Sequence, residues 1–401
     1  MRKLSFFLVV CLIAGLFSGC DFTDDTITLN VYNWGEYISD GSDDLMDVNA
    51  EFERRYGVKI NYKTYESNES MYTLLKSGAA EYDVVIPSDY MIGKMIDEGM
   101  LAKLNFDNIP NYQYIDEQYK NMEYDPNNEY SVPYTWGTVG IFYNSHYVSE
   151  EEVKAKGWDI LWDEKYAGKI FMFDNARDSF MIALKKLGYS MNTIDPAHWQ
   201  AAYDELAKQK PLVQGYFMDQ VFQKMTNEEG WLAPYYSGDG ANMITGEDGK
   251  EFIKYYIPDE GTNRFVDAMC VLKNSDKKEL AEKYINFMCE TEVAVANAEY
   301  ICYASPNVQV FENEDYIAYM QEECHPDAIS ILYDFDMAKM EFYHDLPTET
   351  RNLMNSLWEE LKIESTIGAS VYIICAAILT VVLGLGIFNF VRKRIRASYY
   401  D

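Results

Sequence analysis

The sequence predicts an α/β protein with a mostly parallel sheet. Strand-like and helix-like segments alternate between residues 26 and 101, and a similar series reappears in KIFMFDNARDSFMIALKKLGYS from residue 169. Strands separated by helices favour parallel pairing, because a parallel pair needs a crossover connection. The repeated series therefore predicts two α/β lobes, with residues 130–144 as a crossover between them.

The elements of the first series follow from the spacing of apolar residues. The stretch TITLNVYNW, residues 26–34, alternates apolar and polar positions and predicts a half-buried strand. A helical pattern that begins with acids ends at Gly57, and a second strand, VKINYKTY, leads to a short helix that ends at Gly78. The continuous apolar run in EYDVVIPSD predicts a buried third strand, and a helix follows over residues 90–101.

The composition excludes one class of partner. The chain of 401 residues has a formal net charge of −31, with 65 acidic and 34 basic residues, whereas nucleic-acid-binding surfaces need clustered lysine and arginine. The acidic balance would draw cationic ligands to a cleft, or would serve solubility alone. The 34 tyrosines offer ring faces with a polar tip, which suit ligand binding as well as packing.

The N-terminus predicts export. Residues 1–19 combine a short basic region, an apolar run and small residues, which is the pattern of a secretory signal peptide. The ending LFSGC resembles a bacterial lipobox, in which Cys20 becomes the lipidated first residue of the mature protein. Phe17 departs from the leucine that is usual three places before the cysteine. Ordinary signal-peptidase cleavage nearby is the alternative.

The C-terminus predicts a membrane anchor. Residues 367–391 form an uncharged apolar run that is long enough to span a bilayer as a helix. The basic tail, residues 392–401, is expected to stay in the cytoplasm. A buried core helix is the alternative. The two ends together predict that the middle of the chain lies on the outer face of the bacterial cytoplasmic membrane, anchored by the lipid, the helix or both.

Four cysteines lie between the two ends. An even number in an exported domain permits up to two disulfide bonds, with three possible sets of pairings. These cysteines lack metal-ligand spacing and the four histidines are scattered, so the sequence predicts neither a metal site nor a cofactor. The cysteines are Cys270, Cys289, Cys302 and Cys324.

Motifs of catalysis are missing from the sequence. It contains no GxSxG, no HExxH, no Walker-type loop and no strand-borne GxGxxG. A pair of acids could serve a glycosidase, which needs two carboxylates across the scissile bond, but among 65 acids such pairs arise by chance. The absence of motifs favours a binding protein over an enzyme.

Six segments carry a family resemblance. They are VYNWGEY, KTYESNESMYTLLKSG, EYDVVIPSDYMIGKMIDEGML, DPNNEYSVPYTWGTVGI, ALKKLGYSMNTIDP and ASPN. In this order and spacing, the chain resembles the spermidine/putrescine-binding proteins of bacterial polyamine ABC transporters from about residue 28 to about residue 362.

The resemblance implies a type II periplasmic-binding-protein fold, in which two α/β lobes close on a ligand about a hinge. It assigns residues 26–137 and 257–304 to lobe 1, and residues 138–256 and 305–363 to lobe 2. The implied function is capture of putrescine or spermidine and its delivery to ABC permease subunits. A binding protein of the same fold for another small ligand, or a membrane-tethered polyamine sensor, is the alternative.

A polyamine site needs two kinds of side chain. Carboxylates must pair with the ammonium groups, because a charge taken from water needs a hydrogen-bonded partner. Aromatic faces attract cations and cover the methylene groups. The resemblance implies the ligand-binding residues Trp34, Glu36, Tyr37, Ser88, Tyr90, Asp178, Tyr236, Asp239, Phe265, Asp267 and Tyr303.

Within this set, Asp267 is expected to be the central carboxylate for an ammonium group. Asn175 stands where spermidine binders carry an aspartate, which disfavours a third cationic centre and favours putrescine over spermidine. Asp178 is the expected acid of that segment and is one methylene shorter than glutamate. Tyr236 replaces the usual tryptophan. For Glu36, a position facing solvent is the alternative.

Overall fold

The computed structural model describes residues 26–218, 220–244, 252–324, 326–334, 336–366 and 377–381. The strands are β1 (Thr28–Trp34), β2 (Lys59–Tyr65), β3 (Val84–Val85), β4 (Ser131–Asn144), β5 (Ile170–Phe173), β6 (Val213–Phe217), β7 (Leu232–Tyr236), β8 (Ile253–Tyr256), β9 (Thr262–Val271) and β10 (Met340–Glu341).

The α-helices are α1 (Val48–Tyr56), α2 (Asn68–Ser77), α3 (Asp89–Asp97), α4 (Glu150–Lys156), α5 (Ala176–Lys186), α6 (Pro196–Gln209), α7 (Gln220–Thr226), α8 (Ser237–Ile244), α9 (Lys278–Met288), α10 (Thr291–Ile301), α11 (Val308–Phe311), α12 (Glu314–Tyr319), α13 (Ala328–Tyr333) and α14 (Thr348–Thr366). A π-helix, Met320–Cys324, follows α12.

The strands form one sheet in the order β2-β1-β3-β9-β4-β7-β5-β6, with β8 paired to β4 and β10 to β9. The outer parts are parallel, since β1 pairs in parallel with β2 and β3, and β5 with β6 and β7. The centre differs from the prediction: β9 runs antiparallel to β3 and β4, and β4 runs antiparallel to β7. The long strands β4 and β9 thus join two parallel parts.

The core is divided along β4. Its first half, with Val132 and Trp136, packs in one apolar cluster with the helices that follow β9. Its second half, with Val139 and Phe142, packs in another cluster with α5 and α6. The predicted lobe boundaries stay a prediction. Tyr316, which they assign to lobe 2, packs in the first cluster.

The predicted helix ends are confirmed at two glycines. Gly57 and Gly78 follow α1 and α2 with left-handed φ angles of 66° and 67°, a conformation that costs glycine little. The helix predicted over residues 43–57 begins later, at Val48, because the side chain of Asp47 caps it by accepting from the Ala50 backbone N–H.

The prediction of a transmembrane helix over residues 367–391 is wrong on the residues that the structure describes. None of the helices in the described ranges is long and apolar enough to cross a membrane. Of the predicted span, only residues 377–381 are described, as helix. The rest of that span, the signal peptide 1–19, Cys20 and the tail 392–401 lie outside the described residues.

Candidate functional site

The turn after β1 sends Tyr37 into the core. β1 ends at Trp34, and Glu36 then adopts a left-handed backbone with φ 49°, which is uncommon for a residue with a side chain. Glu36 is left exposed, whereas Tyr37 returns to a buried position. The sequence WGEY thereby directs the Tyr37 hydroxyl towards the centre of the sheet.

Asp267 on β9 is the carboxylate that Tyr37 meets. The Tyr37 hydroxyl donates to Asp267 Oδ2 at 2.7 Å and lies 2.6 Å from Thr135 Oγ1. Asp267 is only 4% exposed, and its other oxygen, Oδ1, has no hydrogen-bond donor among the described residues. Nearly all buried polar atoms in native proteins are paired, so this oxygen is an acceptor for a donor from outside the described residues, either a water or a ligand.

Burial governs the charge of Asp267. Removal from water raises the pKa of this carboxyl from 3.8 to about 6, and the nearby hydroxyl groups of Ser88 and Tyr37 limit the rise. The carboxyl is therefore mainly ionised at pH 7. A buried, ionised carboxylate with an unpaired oxygen attracts a cation strongly, because little water is present to screen the charge.

A row of aromatic rings leads away from this carboxylate. Tyr37 packs edge-on against Tyr303 with ring centroids 5.3 Å apart, and the Tyr303 ring lies 6.2 Å from that of Phe265. Phe265 in turn meets Tyr236 edge-on at 5.6 Å. The Tyr303 hydroxyl donates to Asp239 Oδ2 at 2.8 Å. The row can cover an apolar chain and attract cations at its faces.

Two glycines make room for these rings. A Cβ atom at Gly238 would lie 2.2 Å from Cδ2 of Tyr303, and one at Gly137 would lie 2.7 Å from Cζ of Phe265. Side chains do not tolerate contacts this short, so both positions need glycine for the rings to stand where they do.

The second buried carboxylate is Asp178, in the first turn of α5. Its Oδ2 accepts from the Tyr236 hydroxyl at 2.7 Å, and its Oδ1 accepts from the Tyr343 hydroxyl at 2.8 Å. Burial raises the pKa of Asp178, and the two tyrosines together with Arg177 oppose the rise. Asn175 is the N-cap of α5, since its Oδ1 accepts from the backbone N–H groups of Arg177 and Asp178.

A second chain of contacts, through Tyr343 and Asn68, connects Asp178 back to Asp267. Tyr343 lies edge-on to Tyr90 with centroids 6.2 Å apart. Asn68 Nδ2 donates to the Tyr90 hydroxyl and to Ser88 Oγ, both at 3.1 Å. Ser88 forms an isolated β-bridge with Asp267, so the contacts that began at Asp267 return to it.

These side chains form a closed series of hydrogen bonds, ring contacts and one β-bridge, which we call the contact ring. Tyrosine hydroxyls hold both buried carboxylates, and Asp239 joins the ring through Tyr303. The contact ring runs through Asp267, Tyr37, Tyr303, Phe265, Tyr236, Asp178, Tyr343, Tyr90, Asn68 and Ser88.

Two predicted residues lie beside the contact ring. Trp34 packs against Tyr65 with ring centroids 4.6 Å apart, and its indole Nε1 is buried without a partner among the described residues. Glu36 is exposed and accepts from the Tyr300 hydroxyl at 3.1 Å. The structure therefore favours the solvent-facing alternative for Glu36.

The sequence did not indicate Asn68 or Tyr343. Asn68 lies within KTYESNESMYTLLKSG, one of the segments that carry the resemblance, and could have been found there. Tyr343 lies in none of those segments and is separated from Asp178 by 165 residues, so no local pattern could have pointed to it.

Comparison with known proteins identifies the family. Residues 48–321 match the model for a bacterial extracellular solute-binding protein. Over 311 residues the chain is 37% identical to the spermidine/putrescine-binding periplasmic protein of Escherichia coli (strain K12), covering 77% of this chain and 86% of that relative. It is 28% identical to the putrescine-binding periplasmic protein SpuD of Pseudomonas aeruginosa, covering 90% of this chain and 99% of SpuD.

A solved structure agrees with these sequence relatives. The spermidine/putrescine ABC transporter substrate-binding protein PotD from Streptococcus pneumoniae matches with a TM-score of 0.69 and 31% identity, covering 84% of this chain and 99% of that one. The predicted α/β periplasmic-binding-protein fold is thereby confirmed, as is the prediction of a binding protein rather than an enzyme. The chain belongs to the family of bacterial extracellular solute-binding proteins.

Proposed function

We propose that the chain is an extracytoplasmic polyamine receptor, which captures putrescine or spermidine and delivers it to the permease of an ABC transporter. Relatives that are 37% and 31% identical are named for spermidine and putrescine. The observation that carries the proposal is the unpaired Oδ1 of Asp267, a buried carboxylate oxygen at one end of a row of aromatic rings. An ammonium group supplies the donor that this oxygen lacks.

A diamine fits the chemistry of the contact ring. One ammonium group would donate to Asp267 Oδ1 in a charge-assisted hydrogen bond. The methylene groups would lie against the rings of Tyr303 and Phe265. The second ammonium group would face Asp178 and Asp239, the acids farther along the row. Tyrosine donors already hold these carboxylates, so little rearrangement is needed on binding.

Asn175 favours a diamine over a triamine. Its side-chain oxygen is occupied as the N-cap of α5, and a neutral amide cannot compensate the charge of a further ammonium group. A third ammonium group in spermidine would therefore lose water without gaining a carboxylate. We propose that putrescine binds more tightly than spermidine.

Trp34 and Glu36 have different places in the proposal. The buried, unpaired indole N–H of Trp34 supports a role as a further ligand contact. Glu36, which is exposed and held by Tyr300, is proposed to act at most through its charge at the rim.

Titration calorimetry on the purified full chain tests the proposal. Putrescine is expected to bind with micromolar or tighter affinity. The matched control ligand is 1,4-butanediol, which keeps the four-carbon chain but replaces both ammonium groups by hydroxyls, and it is expected not to bind. Absence of binding heat with putrescine, spermidine and spermine would overturn the polyamine assignment. Equal binding of the diol would show that the carboxylates do not recognise ammonium groups.

Membership of the family places the chain outside the cytoplasm, in the periplasm or extracellular space. We propose that a lipid on Cys20 anchors it there. Metabolic labelling with a fatty-acid analogue is expected to label the wild-type chain but not the Cys20→Ala variant. Cys11→Ala, a change within the signal peptide, is the matched control and is expected to keep the label. Equal labelling of wild type and Cys20→Ala would exclude this anchor.

A further inference from the structure

The tyrosine hydroxyls of the contact ring share one arrangement, in which each donates its proton to a carboxylate. Three of the four acids that accept these protons are among the residues expected to bind the ligand, and Glu69 is the fourth. The pairs are Tyr37 with Asp267, Tyr303 with Asp239, Tyr236 and Tyr343 with Asp178, and Tyr90 with Glu69.

Glu69 lies in the first turn of α2, next to Asn68. A capping box begins this helix: Ser67 Oγ accepts from the Ser70 backbone N–H at 3.2 Å, and Ser70 Oγ accepts from the Ser67 backbone N–H at 3.3 Å. Such a box satisfies two backbone donors and orders the first turn. It therefore steadies the backbone from which Asn68 and Glu69 both reach the Tyr90 hydroxyl.

Asn68 determines which way the Tyr90 hydroxyl donates. Asn68 Oδ1 accepts from the Ser88 backbone N–H at 3.2 Å, which leaves Nδ2 as the donor to the Tyr90 hydroxyl at 3.1 Å. A hydroxyl has one proton and two lone pairs. Asn68 occupies one lone pair, and the proton goes to Glu69 Oε1 at 3.0 Å. The second lone pair of the Tyr90 oxygen has no donor among the described residues.

We propose that Glu69 is a positioning residue of the polyamine site. By holding the proton of the Tyr90 hydroxyl, it leaves the remaining lone pair of that oxygen to accept from an ammonium group of the ligand. Tyr90 packs edge-on against Tyr343, which holds Asp178, so this acceptor would add to Asp178 at the second ammonium group. The role rests on the proposed function and adds to it a residue that acts on the ligand through Tyr90.

The Tyr90 hydroxyl keeps its proton and needs an acceptor for it. Burial raises the pKa of this hydroxyl well above its usual range and the charge of Glu69 raises it further, although Asn68 and Arg177 oppose the rise. A charged acceptor polarises the O–H bond, and the more negative oxygen then accepts more strongly from an ammonium group. Without Glu69 the proton would be free to turn towards the ligand, where it would repel that group.

Titration calorimetry of putrescine binding to the full chain tests this role. Glu69→Ala is expected to weaken binding about three- to tenfold, because it removes the acceptor and its charge. Glu69→Gln keeps an acceptor oxygen and is expected to recover most of the loss. The matched control is Glu66→Ala, which removes a nearby exposed acid outside the contact ring and should bind like wild type. Wild-type affinity of Glu69→Ala, or equal weakening by Glu69→Gln, would overturn the proposal.

A double-mutant cycle shows whether Glu69 acts through Tyr90. Tyr90→Phe removes the hydroxyl, so adding Glu69→Ala to it should weaken putrescine binding no further. A direct contact of Glu69 with the ligand, or a general loss of structure in α2, would give the same loss in both backgrounds and would overturn the positioning role alone. A wild-type chain that binds none of putrescine, spermidine and spermine would overturn the proposed function, and this role with it.

Discussion

Replacing Asp267 by asparagine separates the cost of burying this carboxylate from its use in ligand binding. The Asp267→Asn change keeps the shape of the side chain and an oxygen that can accept from the Tyr37 hydroxyl, which lies 2.7 Å away in the wild type. It replaces the unpaired Oδ1 by an amide nitrogen, which cannot accept a hydrogen bond from an ammonium group.

The structure gives the size of the expected change in stability. The difference between the ordinary pKa of 3.8 and about 6 for Asp267 corresponds to about 3 kcal/mol of stability lost at pH 7 by burying the charge. The unpaired amide nitrogen of the variant costs at least about 1 kcal/mol. The ligand-free variant is therefore expected to be more stable than wild type at pH 7 by up to about 2 kcal/mol.

The sign of the pH dependence follows from the raised pKa. The folded wild-type protein holds the proton on Asp267 more tightly than the unfolded chain does, so this group destabilises the fold as the pH rises from about 4 through about 6. The stability advantage of Asp267→Asn should be present at pH 7 and should reverse near pH 4, where the cost of the unpaired amide, about 1 kcal/mol, remains. Binding of putrescine should weaken by about 2–5 kcal/mol, which is more than tenfold.

Thermal unfolding at pH 4 and pH 7, with and without putrescine, measures both effects. Asp107→Asn is the matched control, because Asp107 is exposed and lies outside the contact ring. It should bind putrescine like wild type and show no such pH-dependent gain. An Asp267→Asn variant that binds putrescine as tightly as wild type, or that is destabilised equally at both pH values, would refute the reasoning.

Three further predictions follow from the same site. Putrescine affinity should be constant between about pH 7 and pH 8 and fall by up to about tenfold per pH unit below about pH 6, because protonated Asp267 must first release its proton. Calorimetry at pH 5 and pH 8 checks this, and equal affinities would contradict it. Asn175→Asp keeps a capping side chain on α5 and adds a carboxylate, so the affinity for spermidine relative to putrescine should rise about tenfold. An unchanged ratio of the two affinities in calorimetry would contradict the proposal that Asn175 disfavours spermidine. Gly238→Ala places a Cβ atom 2.2 Å from the Tyr303 ring and should weaken putrescine binding at least about tenfold. The control Gly93→Ala, in which the nearest atom to the added Cβ is 3.6 Å away, should leave binding unchanged. Equal affinities of the two variants in calorimetry would contradict the role of the Tyr303 ring.

Features set by neighbouring residues could be predicted from the sequence. β1 was expected over residues 26–34 and occupies Thr28–Trp34, because alternating apolar positions report directly on a half-buried strand. Gly57 and Gly78 end α1 and α2, as glycine readily adopts the left-handed backbone at helix ends. The antiparallel centre of the sheet could not be predicted, since β9 pairs with β4 across more than one hundred residues of chain.

The site was predictable as a set of residues but not as a geometry. The resemblance supplied Asp267, Tyr37 and Tyr303, and the structure brings them into contact. Whether a donor reaches Oδ1 of Asp267 depends on where side chains from distant parts of the sequence lie. The role of Tyr343 depends on packing between elements that are far apart in sequence. The predicted membrane-spanning helix shows the opposite case, in which apolar composition alone led to a conclusion that the described helices do not support.

The most direct test of the central claim is a crystal structure of the protein with putrescine. An ammonium nitrogen is predicted to lie about 2.8 Å from Asp267 Oδ1, with the methylene chain along the rings of Tyr303 and Phe265. Putrescine bound away from the contact ring, or Asp267 Oδ1 paired with a donor of the protein itself while the ligand is present, would contradict the account.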